Sequence, residues 1–232
     1  MRRVEAGVGE PAVVLEAGLN NGAASWQRVM PLLAPHVRVA GYDRAGIGGS
    51  APAPGLVTID RQIDDLASVI TGLAAGPCVL AGHSWGGILV QLLALRRPDL
   101  AAGLVLVDPG HEEIESGLPL ALQWGWRVTR AVHPDELHGG VTASDAALRE
   151  LRAAARPFPD VPVVVLSAAR SFPLPRRFRA HWTHLQAGLA AAAPQGRHVV
   201  VGGTGHNIPR DRPDVVAGTI LAVAAQARAS GG

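Results

Sequence analysis

A serine stands in a glycine-flanked motif between two apolar runs. Residues 82–86 read Gly-His-Ser-Trp-Gly, with apolar runs at 77–81 and 88–93 on either side. This is the G-x-S-x-G pattern of a nucleophile elbow, a sharp strand-to-helix turn that exposes the serine hydroxyl at the end of a sheet. Glycines at such a turn let neighbouring backbone approach closely. We predict that Ser84 is a nucleophile; the alternative is a buried strand-to-helix turn with a serine cap.

A histidine follows the last predicted strand, where such a serine would need a base. A serine hydroxyl reacts only if a base takes its proton and a third group orients that base. In chains with this elbow the order is serine, then carboxylate, then histidine. His206 follows the predicted strand 197–202 and is the predicted base. His83, although adjacent to Ser84, is predicted to point away from it and to be packed and hydrogen-bonded.

The carboxylate that would orient His206 is predicted from its position in the chain. The loop after the strand 161–166 has no Asp or Glu. Asp108 ends the preceding strand, 103–107, and functional groups of open parallel sheets gather at the carboxyl ends of strands. We predict Asp108 as the acid, with a cap of the turn before Pro109 as its alternative role. Weaker candidates are Glu112, Glu113 and Asp160.

Backbone N–H groups near the elbow are predicted to form an oxyanion hole. The residue after the nucleophile, Trp85, supplies one N–H, and Leu19, in the loop after the strand 11–17, supplies the other. Asn20 could add a side-chain donor in the substrate pocket, although Asn in such a place often only makes a turn.

Apolar strands alternate with helical patterns along most of the chain, as in the helices predicted from Trp26 to about Leu33, with Ser25 as the N-cap, and from Ile59 to Leu73. This alternation predicts an α/β fold with a mostly parallel central sheet and helices on both faces. The pattern breaks at 109–160, which is too long for an ordinary connection and contains one predicted helix, 143–155. We predict a core of residues 1–108 and 161–232 and a short helical lid at 109–160. Trp124 and Trp126 would line its substrate pocket, although they could equally belong to the core of the lid.

Composition excludes several classes of protein. Apolar residues make up 48% of the 232 residues and charged residues 17%, which is typical of a globular chain. All 21 basic residues are scattered arginines and the net charge is only +2, so no nucleic-acid partner is expected. No apolar run could span a bilayer, no signal peptide is evident, and a single cysteine permits no internal disulfide. We expect a cytoplasmic protein without a metal site. The sequence does not determine its oligomeric state.

The motifs together resemble the α/β-hydrolase fold superfamily over nearly the whole chain. They are the elbow, the glycine-rich loop 42–50 (Tyr-Asp-Arg-x-Gly-x-Gly-x-Ser), Leu-Val-Asp108-Pro, and Gly-His206 followed by Arg-Pro-Asp. The resemblance implies cleavage of an ester, lactone or thioester of a small molecule with an apolar part, without a cofactor. The acid position is similar to that of some haloalkane dehalogenases, but those enzymes need an Asp nucleophile, whereas this chain has Ser84.

Two other functions remain open on the same fold. Members of the superfamily also act as cofactor-free lyases, cyclases or perhydrolases. A ligand-binding receptor is the non-enzymatic alternative, because a fold does not determine a function.

Overall fold

The computed structural model describes residues 1–55, 57–74, 76–114, 123, 142–153, 157–170 and 176–230. Within them, seven strands form one sheet in the order β1-β3-β2-β4-β5-β6-β7. The edge strand β1 pairs antiparallel with β3, and all other pairs are parallel. The strands are β1 (Arg3–Ala6), β2 (Val13–Glu16), β3 (Val39–Tyr42), β4 (Cys78–His83), β5 (Ala101–Val107), β6 (Pro162–Ala168) and β7 (Gln195–Val201).

Helices connect these strands, as parallel pairing requires. Two short 3₁₀ turns, Ala23–Trp26 and Pro98–Leu100, complete the connections. The helices are α1 (Met30–Leu33), α2 (Ile59–Leu73), α3 (Trp85–Arg96), α4 (Thr142–Ala153), α5 (Arg176–Ala191), α6 (Ile208–Asp211) and α7 (Pro213–Ser230). Each helix within the described ranges is either too short or too polar to span a lipid bilayer.

Both faces of the sheet are buried under helices. Successive residues of a strand point to opposite faces. Leu80 accordingly packs in the cluster under α2, α3 and α5, whereas its neighbour Val79 packs in the cluster under α1 and α7. The predicted α/β fold with a mostly parallel sheet is confirmed.

Local signals predicted the long elements better than the short ones. The helix predicted at 59–73 is observed as α2, and the Thr58 hydroxyl accepts a hydrogen bond from the Arg61 N–H at its first turn. A helix from Trp26 to Leu33 with Ser25 as its N-cap was wrong, because Ser25 lies inside the 3₁₀ turn and donates to the Gly22 carbonyl. The short α1 then begins only at Met30.

The insertion 109–160 is described only in part. The predicted helix there is observed as α4, and Leu148 on it is fully buried in the core cluster beneath α3. Arg152 of α4 pairs with the buried Glu112 carboxylate, so the described ends of the insertion contact each other. Trp124 and Trp126 lie outside the described residues, and the division into core and lid stays a prediction.

Candidate active site

Ser84 occupies the turn between β4 and α3 in a strained backbone conformation. Its φ is 54° and its ψ is −115°, a conformation that L residues rarely adopt. The surrounding backbone holds it there: the Ser84 N–H donates to the Val107 carbonyl at 3.0 Å, and the Ser84 carbonyl accepts from the Gly110 N–H at 3.1 Å. The local geometry is that of the predicted elbow.

The glycines of the elbow are required by space. A Cβ at Gly82 would lie 2.4 Å from the Gly86 oxygen, and one at Gly86 would lie 2.3 Å from the Glu16 oxygen. Both contacts are with backbone atoms, which cannot swing aside as the end of a flexible side chain can. The backbone of the elbow therefore packs directly against the end of β2.

Asp108 and His206 are joined by a short hydrogen bond. His206 Nδ1 lies 2.6 Å from Asp108 Oδ2, although 98 residues separate them in sequence. The His206 side chain is 30% exposed whereas the Asp108 side chain is fully buried. A substrate could therefore reach the imidazole while the carboxylate stays sealed behind it.

Asp108 is supported by further donors on the side away from His206. Its Oδ1 accepts from the Ala168 N–H at 3.1 Å and from Trp182 Nε1 at 2.9 Å. Asp108 also has a positive φ of 42°, which Asp tolerates better than most residues. The end of β6, whose following loop lacks a carboxylate in the sequence, thus contributes a backbone N–H to Asp108. Sequence reasoning missed Trp182, since no local pattern on α5 marks it.

His83 holds the backbone of His206. His83 Nε2 donates to the His206 carbonyl at 2.9 Å, and the two ring centroids lie 4.9 Å apart. Burial, and then the neighbouring His206 ring, lower the pKa of His83 to about 4. His83 is therefore a neutral donor at physiological pH, hydrogen-bonded as the sequence analysis expected.

The loop after β2 lies against the elbow. A Cβ at Gly18 would come 3.6 Å from the Ser84 Cβ, and Leu19 packs against the adjoining core. Trp85 is the first residue of α3, where N–H groups have no acceptor within the helix. Its indole is buried and donates to Gln62 Oε1 at 3.0 Å. Asn20 is exposed with a φ of 55°, typical of Asn in a turn.

The structure thus gathers Asp108, His206 and Ser84 at the carboxyl ends of β4 and β5. It shows no direct Ser84–His206 hydrogen bond between these described residues, and such bonds are often long before substrate binds. Two of the weaker acid candidates bond other groups: Glu112 pairs with Arg152, and Asp160 accepts from Gln195 Nε2 at 2.9 Å. Over the described ranges, no group of three metal-ligating side chains is found.

This chain matches a known protein family over most of its length. A model of the alpha/beta hydrolase fold family matches residues 11–187. The chain belongs to this family. The uncharacterized protein YqjL of Bacillus subtilis (strain 168) is 27% identical over 207 residues, covering 88% of this chain and 79% of the relative. Lipase LipV of Mycobacterium tuberculosis is 39% identical over 100 residues, but this match covers only 43% of the chain and 38% of the lipase.

Solved structures share the fold of this chain. The haloalkane dehalogenase DbeA from Bradyrhizobium elkani USDA94 superposes with a TM-score of 0.74, covering 98% of this chain and 94% of that one. The two sequences are only 18% identical, so this likeness establishes the architecture and nothing about the reaction.

Proposed function

We propose that this protein is a serine hydrolase that cleaves a carboxylic ester, lactone or thioester through an acyl-enzyme intermediate. The observation that carries the proposal is the 2.6 Å Asp108–His206 hydrogen bond beside a strained serine at the start of a helix. A nucleophile, a base and a group orienting that base are the parts that acyl transfer needs. The lipase name of LipV is consistent with an ester substrate.

Each of these side chains has a role in the proposed mechanism. Ser84 Oγ attacks the acyl carbon while His206 Nε2 takes the hydroxyl proton, and the carbonyl electrons move to the oxygen. Asp108 holds Nδ1–H and stabilises the imidazolium without taking its proton. His206 then protonates the leaving alcohol or thiol, and a water molecule activated by the same ring releases the acid.

The oxyanion formed at each step needs donors that are already oriented. The backbone N–H groups of Trp85 and Leu19 are proposed for this role, because Trp85 begins α3 and Leu19 follows Gly18 in the loop that lies against the elbow. Fixed donors of this kind stabilise developing charge without reorganisation. Asn20, Trp124 and Trp126 are proposed to contact the remainder of the substrate, with 109–160 as a lid over an apolar pocket.

The proposal is tested with Ser84→Ala on a panel of p-nitrophenyl esters of varied chain length, lactones and acyl thioesters. We expect kcat to fall about 10³-fold or more. The thermal midpoint should change little, because alanine keeps the Cβ and adds no atom at the strained turn. A fluorophosphonate probe should label the wild-type protein and not the variant, whereas a receptor with an unactivated serine would not react.

Ser68→Ala is the matched control. Ser68 is an exposed serine of α2 whose hydroxyl donates to the Asp64 carbonyl, so its loss should alter neither labelling nor turnover. Purified Ser84→Ala protein that keeps most of its esterase activity would contradict the proposed nucleophile.

A further inference from the structure

Arg44 is a buried arginine whose guanidinium hydrogen-bonds to the loop after β2. This loop carries the Leu19 N–H, one of the proposed oxyanion donors. Arg44 lies two residues after β3, at the sheet edge where β2 ends beside β3, and its side chain is 4% exposed. One terminal nitrogen donates to Glu16 Oε1 at 2.5 Å and to the Ala17 carbonyl at 2.8 Å. The other terminal nitrogen donates to the Gly18 carbonyl at 2.6 Å.

The contact with Gly18 fixes the direction of the next N–H. A trans peptide is planar, so its C=O and N–H point in opposite directions. The Gly18 carbonyl and the Leu19 N–H belong to one peptide unit. Because Arg44, together with the Asn21 N–H, holds that carbonyl, the orientation of the Leu19 N–H is determined as well. A Cβ built on Gly18 would lie only 3.6 Å from the Ser84 Cβ, so this loop places the Leu19 N–H near the nucleophile.

The guanidinium is itself held by a buried acid. Glu16 is 1% exposed, and its second oxygen accepts a hydrogen bond from the Tyr42 hydroxyl. Burial raises the pKa of Glu16, and the Arg44 charge acts in the opposite direction. A planar fork with several fixed donors can reach a carboxylate and two carbonyls together, which an ammonium group cannot do.

We propose that Arg44 is a positioning residue that orients the Leu19 N–H of the oxyanion hole. The inference rests on the proposed function, because it assigns Arg44 to the same acyl-transfer site. It also gives a role to Tyr42 and Arg44 of the loop 42–50, which the proposed mechanism does not use.

The test uses Arg44→Lys in ¹⁵N-labelled protein with an alkyl trifluoromethyl ketone. In the wild type, Ser84 Oγ adds to the ketone carbon, its proton passes to His206, and the ketone oxygen becomes an oxyanion that shifts the amide signals of Leu19 and Trp85. In Arg44→Lys we expect the Leu19 shift to be lost and the Trp85 shift to remain, since Trp85 is oriented by α3. This selective loss separates positioning from a general structural role.

Kinetics provide the second readout. Misplacing one catalytic donor should lower kcat by about 10–100-fold while KM changes little. The inhibition constant of the trifluoromethyl ketone should rise in proportion to the loss in kcat/KM. Arg38→Lys is the control, because Arg38 also donates to a backbone carbonyl, that of Leu73 at 2.8 Å, but at the opposite end of β3. It should leave both amide shifts and kcat unchanged.

The outcomes are distinguishable. If the ketone forms no adduct with Ser84 in the wild type, the proposed function fails. If the adduct forms and Leu19 responds equally in wild type and Arg44→Lys, the function stands and the role of Arg44 is refuted. If Arg44→Lys does not fold, the same two amide shifts are measured in Tyr42→Phe, which removes one hydrogen-bond donor from Glu16. A weakened Leu19 shift with an intact Trp85 shift then supports the inference, and two unchanged shifts overturn it.

Discussion

Asp108 combines three demands on a single residue. It is fully buried, it bonds His206 through Oδ2, and it adopts a positive φ of 42°. A buried carboxylate is costly unless it is hydrogen-bonded, and the donors from Ala168 and Trp182 reduce that cost. Charge-assisted bonds of this kind are stronger than neutral ones. The residue is thus held by its surroundings rather than by its own preferences.

We predict that Asp108→Asn lowers kcat by about 10³–10⁴, equivalent to roughly 4–5.5 kcal/mol of transition-state stabilisation. An amide cannot stabilise the imidazolium, and its NH₂ group can favour the wrong tautomer of His206. Asn tolerates a positive φ, so the backbone should be retained. Steady-state kinetics on a reactive ester measure the loss.

Asp160→Asn is the comparison variant for this experiment. Asp160 is exposed and bonds Gln195, so its change should leave kcat near the wild-type value. An Asp108→Asn enzyme with a similar kcat to Asp160→Asn would refute the assigned role.

At the scale of elements, the elbow depends on how closely β4, α3 and the end of β2 approach. The Gly86 Cα faces the carbonyls of Glu16 and Ala17, and Gly87 faces Pro109, where an added Cβ would lie 2.5 Å from the Pro109 Cβ. These contacts explain why the sequence has glycines on the first turn of α3 although glycine is a poor helix former. Close approach of the backbones is what brings the loop after β2 to Ser84.

Gly86→Ala should therefore cost about 1–3 kcal/mol or more of unfolding free energy, because the new methyl group overlaps backbone. Gly218→Ala is its matched partner in another helix. Gly218 is exposed on α7 and a Cβ there would meet nothing within 4 Å, so this change should stabilise by about 0.5–1 kcal/mol. Urea unfolding of both variants gives the two values. Equal effects would show that the elbow is not tightly packed.

For the molecule as a whole, buried neutral histidines make stability depend on pH. Burial lowers the pKa of both His83 and His111 to about 4. The unfolded chain has ordinary histidines, with a pKa near 6.5. Between these two values the unfolded state binds protons that the folded state does not. Stability from these rings is therefore fully present above about pH 6.5 and is lost as the pH falls toward 4.

His83→Gln should reveal the contribution of one ring. Gln can still donate to the His206 carbonyl but does not titrate. We expect the stability advantage of the wild type over the variant to shrink by up to ~3 kcal/mol between pH 7 and pH 4. Urea unfolding at intermediate pH values measures the difference in unfolding free energy between the two proteins. The titration of groups that both proteins share cancels in this difference. A difference that does not vary with pH would contradict the neutral, buried state of His83.

The sequence by itself determined the elements and their class. Apolar runs with strand and helix periods are local properties, so a parallel sheet, α2 and the turn at Ser84 could be predicted from spacing alone. The predictions were weakest where the local signal was short, as at Ser25, because tertiary contacts decide whether a few residues form a 3₁₀ turn or a helix.

Tertiary structure alone decided which distant groups meet. Asp108 directly follows β5 and His206 lies in the loop after β7, and their order was predictable, but the 2.6 Å contact depends on the register of β5, β6 and β7. The support of Asp108 by Trp182 and of the Gly18 carbonyl by Arg44 had no signal in spacing. Hydrogen bonds act over about 3 Å between side chains of any sequence separation, whereas sequence patterns report only neighbours along one element.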